Sequence, residues 1–87
     1  MYRLLLKPKA ERDLRRLRRA PVLFERVYEV ILALAENPRP PRAKPLRGVD
    51  KWSRRVGDYR IVYTIDDDAQ EVTIFRVRHR REVYKRL

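Results

Sequence analysis

Eighty-seven residues without a cysteine leave no disulfide framework, no thiolate metal site and no room for a second domain, so residues 1–87 are expected to form one small domain. The 23 lysines and arginines outnumber the 12 acidic residues, and the net charge of +11 points to a polyanionic partner such as nucleic acid, an acidic protein segment or an anionic membrane surface. Eighteen of the 23 cations are arginine, whose planar fork suits phosphate and whose face stacks on bases.

Tyr2 to Leu6 reads as a short strand that stops before Pro8. Lys9 to Arg19 carries Ala10, Leu14 and Leu17 at helical spacing, with Glu11 and Arg15 four apart in the favourable order. Ala20-Pro21 breaks this helix, and Pro21 suits the first turn of the next one. That second helix runs from about Val22 to Glu36. Leu23, Val27, Val30, Ile31 and Leu34 form its apolar stripe, which Phe24 and Tyr28 widen, and Asn37-Pro38 ends it. Neither Leu4-Leu5-Leu6 nor the apolar run Val30 to Ala35 approaches the roughly 20 residues of a membrane span. No targeting segment is visible, so the chain is expected to be cytoplasmic, with no membrane partner.

Asn37 to Gly48 is a proline-rich connection kept positive by Arg39, Arg42, Lys44 and Arg47. Its prolines remove backbone donors and stiffen it, which predicts a braced surface segment, read first as a solvated connection and second as a segment that touches RNA. Lys51 to Val56 and Tyr59 to Ile65 then pair as strands across Gly57-Asp58, a two-residue hairpin signal. Asp66 to Gln70 is the next turn, Glu71 to Val77 the last strand, and His79 to Leu87 a tail or helical turn. The order β-α-α-β-β-β predicts an α+β domain, with a helical hairpin packed on one face of a mostly antiparallel four-stranded sheet.

Strand alternation divides the charge between two faces. Ile61, Tyr63 and Ile65 share one face, and Arg60, Val62 and Thr64 the other. Trp52, Arg54 and Val56 alternate with Ser53 and Arg55. In the last strand, Val72, Ile74, Arg76 and Arg78 alternate with Thr73, Phe75, Val77 and His79. One face can lie under the helices while the other holds arginines outward.

Two glycines leave no phosphate-binding loop, and one histidine with a single Asp66-Asp67-Asp68 run, which fits a turn, offers no metal set; no cofactor is expected. The chemistry that remains is phosphoryl transfer on RNA, which brings its own nucleophile, the 2′-hydroxyl. Cleavage requires in-line alignment, a neutralised phosphate and two managed protons. Arg55, Arg60 and Arg80 suit the phosphate. His79 suits acid–base work near neutral pH, and Tyr84 serves as a base only where cations lower its pKa from about 10. Plainer roles stand beside these: solubilising arginines, a surface His79, a Tyr84 ring packed at the sheet edge and Trp52 as core or cleft wall. The residues by themselves describe a nucleic-acid-binding domain to which nuclease chemistry is open.

Trp52 to Tyr63, WSRRVGDYRIVY, resembles the central signature of the RelE/ParE toxin superfamily, and within it the RelE-like branch. Lys9-Ala10-Glu11-Arg12-Asp13-Leu14 ahead of Leu17, Asn37-Pro38, Leu46-Arg47-Gly48 and the ending His79-Arg80-Arg81-Glu82-Val83-Tyr84 agree with it, so the resemblance spans nearly the whole chain. It implies a toxin of a type II toxin–antitoxin system: a ribosome-dependent endoribonuclease that cuts mRNA in the A site by 2′-hydroxyl attack, leaving a cyclic phosphate and inhibiting translation. It also implies an acidic, RelB-like antitoxin as partner, beside mRNA and ribosomal RNA.

In that resemblance Arg60 matches the phosphate-binding arginine, and Arg80 the arginine that stabilises phosphate or leaving group. Tyr84 matches the tyrosine that orients or deprotonates the 2′-hydroxyl, and Arg55 a basic residue of the hairpin. Many relatives carry a second basic residue where this chain has Ser53; Lys51 is close enough to reach in, whereas Arg54 points to the other face. His79 occupies a position basic in some relatives and is expected to share the proton work. The expected catalytic residues are therefore Arg60, Arg80, Tyr84 and His79, with Arg55, Lys51, Arg54 and Arg78 binding substrate. The alternatives are a ParE-like inhibitor of DNA gyrase without nuclease activity, or a non-catalytic relative that binds an antitoxin.

Overall fold

The computed structural model describes residues 1–81. In chain order the elements are β1 (Arg3–Leu6), α1 (Pro8–Leu17), α2 (Pro21–Glu36), β2 (Ala43–Pro45), β3 (Trp52–Val56), β4 (Tyr59–Asp66) and β5 (Glu71–His79). Each helix opens on a proline, which lacks the amide that a first turn would leave unpaired anyway. α2 ends at Asn37, whose extended backbone is what the following Pro38 demands.

The sheet has the order β1-β5-β4-β3-β2, with β1 parallel to β5 and every other pair antiparallel. The expected fold class and helical hairpin are present, but the sheet has five strands rather than four. The added strand, β2, lies inside the proline-rich connection and pairs with β3. Three residues are too few to show a periodicity, and Pro45 is tolerated because β2 is an edge strand. The connection is braced as its prolines suggest. The Tyr63 hydroxyl donates to the Pro38 carbonyl at 2.7 Å, and Arg39 lies over the Trp52 ring, 5.6 Å from its centroid. Arg39 also clamps the Asp67 carboxylate with both terminal nitrogens, at 3.1 and 2.9 Å.

The core lies between the helices and one face of the sheet. Ala10, Leu14 and Leu17 of α1 and Val27, Ile31 and Leu34 of α2 pack with Val56, Ile61, Tyr63, Val72, Ile74 and Val77. Burying each aliphatic side chain of this size contributes about 1.5–3 kcal/mol. Tyr63 is fully buried, and burial pushes its phenol up to about 12, although Arg54 and Arg39 pull the other way.

Strict alternation fails in β5. Val62 opposes Arg76 and Tyr63 opposes Ile74, so Phe75 is an extra residue, a β-bulge. The core face of β5 therefore runs Val72, Ile74, Val77, and Val77 does not group with Thr73 as alternation predicted. From the bulge onward every side chain changes face.

Asp13 secures this irregular stretch. β1 stops pairing at Leu6 opposite Ile74, so the edge of β5 beyond that point has no strand beside it. Asp13, buried on α1, fills the gap: its Oδ2 accepts from the Val77 amide at 2.9 Å and from Arg76 Nε at 2.9 Å, while Oδ1 accepts from Arg76 Nη2 at 3.2 Å. A carboxylate with this many donors is adequately compensated for its burial.

The turns follow their residues. Gly57 adopts φ +58°, a conformation that costs glycine nothing, and closes the β3–β4 hairpin with Asp58. The acidic run serves a turn: Asp66 Oδ1 accepts from the Ala69 amide at 3.0 Å, and Asp67 holds Arg39 and accepts from the Tyr2 hydroxyl at 2.6 Å. These bonds lower the Asp67 pKa and raise that of Tyr2. Among the described residues no helix is long and apolar enough to cross a membrane.

Candidate nucleic-acid interface

The face of the sheet away from the helices carries the charge. Val56, Ile61 and Val77 are buried on the core side, so their neighbours Arg55, Arg60 and Arg78 project from the other. Arg55 of β3 directly opposes Arg60 of β4, and Arg60 directly opposes Arg78 of β5. Side chains so paired sit about 5 Å apart at Cβ, which sets three arginines in a row across the sheet. The strands fix where the three side chains start, so only their rotamer freedom is lost when they meet one anion.

Beside this row the sheet forms a depression of about 490 Å³ lined by Pro41, Arg42, Lys44, Ser53, Arg55 and Arg60. Among the described residues no carboxylate lines it. A concave surface with cations of one sign focuses its field and favours an anion there.

Arg60, Arg55 and Arg78 are thus brought together. For Arg78 this depends on the bulge: strict alternation put it on the face of Val72 and Ile74, and the extra residue at Phe75 moves it beside Arg60. The Arg80 amide donates to the Asp58 carbonyl at 2.7 Å, which holds the chain at the hairpin end of the sheet, next to the arginine row.

The other expected site residues lie elsewhere. Arg54 opposes Ile61 on the helix side, and its Nη1 donates to the Arg55 carbonyl. It lines a second groove with Arg26, Glu29 and Val30, which shares Arg42 and Arg55 with the depression. The Lys51 ammonium sits over the Phe75 ring, 4.8 Å from its centroid, with Lys7 at 5.4 Å on the same ring. Lys51 is four residues, about 13 Å of extended chain, from Arg55. His79 is turned away by the same bulge that brings Arg78 in. It opposes Tyr59 on the core side, edge-on to that ring at 5.1 Å, and its Nδ1 accepts from the Arg81 amide at 3.0 Å. Tyr84 lies outside the described residues.

Arg42 and Lys44 belong to the connection that the sequence assigns first to solvent and only second to RNA. Their positive charge beside a rigid proline segment was the available signal, but the pairing of Lys44 with Ser53 is a long-range contact with no local trace.

A helical hairpin over a mostly antiparallel sheet, with an arginine row on the uncovered face, defines a small basic α+β protein whose charge suits a polyanion. The family described as "ParE toxin of type II toxin-antitoxin system, parDE" matches residues 4–84 of this chain. Toxin RelG of Mycobacterium tuberculosis is 40% identical over 81 residues, covering 88% of each protein. Among solved structures, the toxin-antitoxin complex RelBE2 from Mycobacterium tuberculosis contains a chain with 36% identity and a TM-score of 0.79, covering 91% of this chain and 98% of that one. The intact E. coli RelBE toxin-antitoxin complex contains another with 26% identity and a TM-score of 0.76, covering 88% and 94%. The chain belongs to the RelE/ParE superfamily, as a toxin of the type II toxin–antitoxin class.

Proposed function

We propose that this toxin is a ribosome-dependent endoribonuclease that cuts mRNA in the A site and so stops translation. The observation that carries this reading is the row Arg55–Arg60–Arg78 on the uncovered face of the sheet. In the reaction the RNA 2′-hydroxyl attacks the adjacent phosphorus and loses its proton. A new oxygen–phosphorus bond forms, and the bond to the 5′-oxygen of the next nucleotide breaks as that oxygen takes up a proton. The products are a 2′,3′-cyclic phosphate and a free 5′-hydroxyl. Negative charge builds on the phosphoryl oxygens in the transition state, where preorganised guanidinium donors stabilise it most.

Arg60 is assigned to the scissile phosphate, with Arg55 and Arg78 flanking it. The resemblance of the chain ending supports Arg80 on the phosphate or leaving-group side and Tyr84 at the 2′-hydroxyl. His79 is given no proton role, because its imidazole faces Tyr59 on the opposite side of the sheet. The partner that restrains the toxin is an acidic, RelB-like antitoxin; both solved relatives described above are toxin–antitoxin complexes, and a chain of net charge +11 suits an acidic partner.

The description of the matching family favours one competing reading, inhibition of DNA gyrase without RNA cleavage. Inducing the gene, mapping mRNA ends by primer extension and assaying supercoiling in parallel separates the two. Codon-phased cuts that vanish in Arg60→Ala are expected. Intact mRNA with lost supercoiling activity would replace this reading with the gyrase one.

A further inference from the structure

The cationic track does not stop at Arg55. β2 sets Lys44 directly opposite Ser53, and Lys44 and Arg42 line the same depression as Arg55 and Arg60. Ser53, with its short side chain, lies between Lys44 and the centre of the sheet, so the floor there is low and polar. Along β4 the charge runs out at once, since Val62 and Thr64 follow Arg60 on that face. Across the strands it continues, from Arg78 through Arg60 and Arg55 to Lys44 and Arg42.

We propose that Lys44, with Arg42 beside it, holds the RNA phosphate that flanks the scissile one, so that the RNA strand crosses the sheet obliquely from β5 towards β2. The inference rests on the reading of the Arg60 neighbourhood as an RNA-cleaving site. β4 and β2 are two strand spacings apart, about 10 Å, and Lys44 stands level with Val62, two residues along β4 from Arg60. Cations that far apart at the backbone and rising from one surface are set for two phosphates rather than one. Lys44 is exposed on an edge strand and presents a compact ammonium, a point charge that accepts phosphate without a fixed orientation. Such a contact sets the register of the strand over Arg60 and carries no base preference of its own.

The test uses the purified chain and two uncleavable probes: a 2′-O-methyl dinucleotide, with one phosphodiester, and a 2′-O-methyl tetranucleotide, with three. Each is titrated by NMR at several salt concentrations. Lys44→Gln is expected to weaken the tetranucleotide about fivefold at low salt and to make its log–log salt dependence shallower by about 0.7. Dinucleotide affinity stays unchanged, and Lys44→Arg restores the tetranucleotide. Equal losses for both probes, or none for either, overturn the inference when Arg60→Ala weakens both. If Arg60→Ala weakens neither probe, the RNA reading of the site falls, and the inference with it.

Discussion

Arg60 of β4 stands directly opposite Arg55 of β3, like charge against like charge in one cross-strand pair. Arg78 repeats the arrangement on the other side of Arg60. Directly opposed like charges destabilise a sheet. Neither Arg55 nor Arg60 forms an ion pair with a carboxylate among the described residues. The Arg55–Arg60 pair is an arrangement that an anion placed between the two guanidinium groups would relieve.

Arg60→Thr is therefore expected to make the free protein more stable, by about 0.5 kcal/mol, while abolishing RNA cleavage. Urea denaturation of the two proteins side by side measures the first effect and primer extension the second. A variant less stable than the parent would show that the row is not under electrostatic stress.

His79→Ala bears on the assignment of the proton chemistry. Loss of a general acid or base lowers a rate by about 10²-fold or more. With the imidazole facing Tyr59 and its Nδ1 bonded to the Arg81 amide, the variant should lose far less than that, and its pH–rate profile should match the parent's. A profile that loses one limb would return His79 to the reaction.

Asp13→Ala removes three hydrogen bonds at once and leaves the Arg76 guanidinium and the Val77 amide without their partner on α1. The expected loss is about 3 kcal/mol, large for a small domain. In a double-mutant cycle with Arg76→Met the two losses should be less than additive, because both variants remove the same Asp13–Arg76 bonds. Chemical denaturation of the single and double variants checks both statements.

Tyr63 ties stability to alkaline pH. Its folded pKa of about 12 exceeds the unfolded value of about 10, so its contribution is fully present below pH about 10 and is lost as pH rises through about 12, the unfolded chain giving up its proton first. Tyr63→Phe should flatten the decline in urea midpoint over that range. Near neutral pH the same variant should lose about 1 kcal/mol, since the Pro38 carbonyl is left unpaired.

Local rules made much of this protein legible. Periodicity located both helices, prolines and Asn37-Pro38 bounded them, and Gly57-Asp58 placed the hairpin; each depends on residues within a few positions of one another. Alternation within β3 and β4 likewise sent Arg55 and Arg60 to one face and Arg54 to the other. Two features escaped because they are made by partners distant in sequence. β2 is a strand only because β3 lies beside it, with Lys44 against Ser53.

By itself, then, the sequence determined the element order, the basic character of the chain and the outward projection of Arg60. The tertiary structure decided which residues join Arg60 there. The bulge at Phe75 exists in the pairing of β5 with β4, not in either strand alone, and Asp13 on α1 binds the edge of β5 just beyond it. Because strand side chains alternate with a period of two, one inserted residue exchanges the faces of all that follow. That exchange sets Arg78 beside Arg60 and turns His79 to Tyr59.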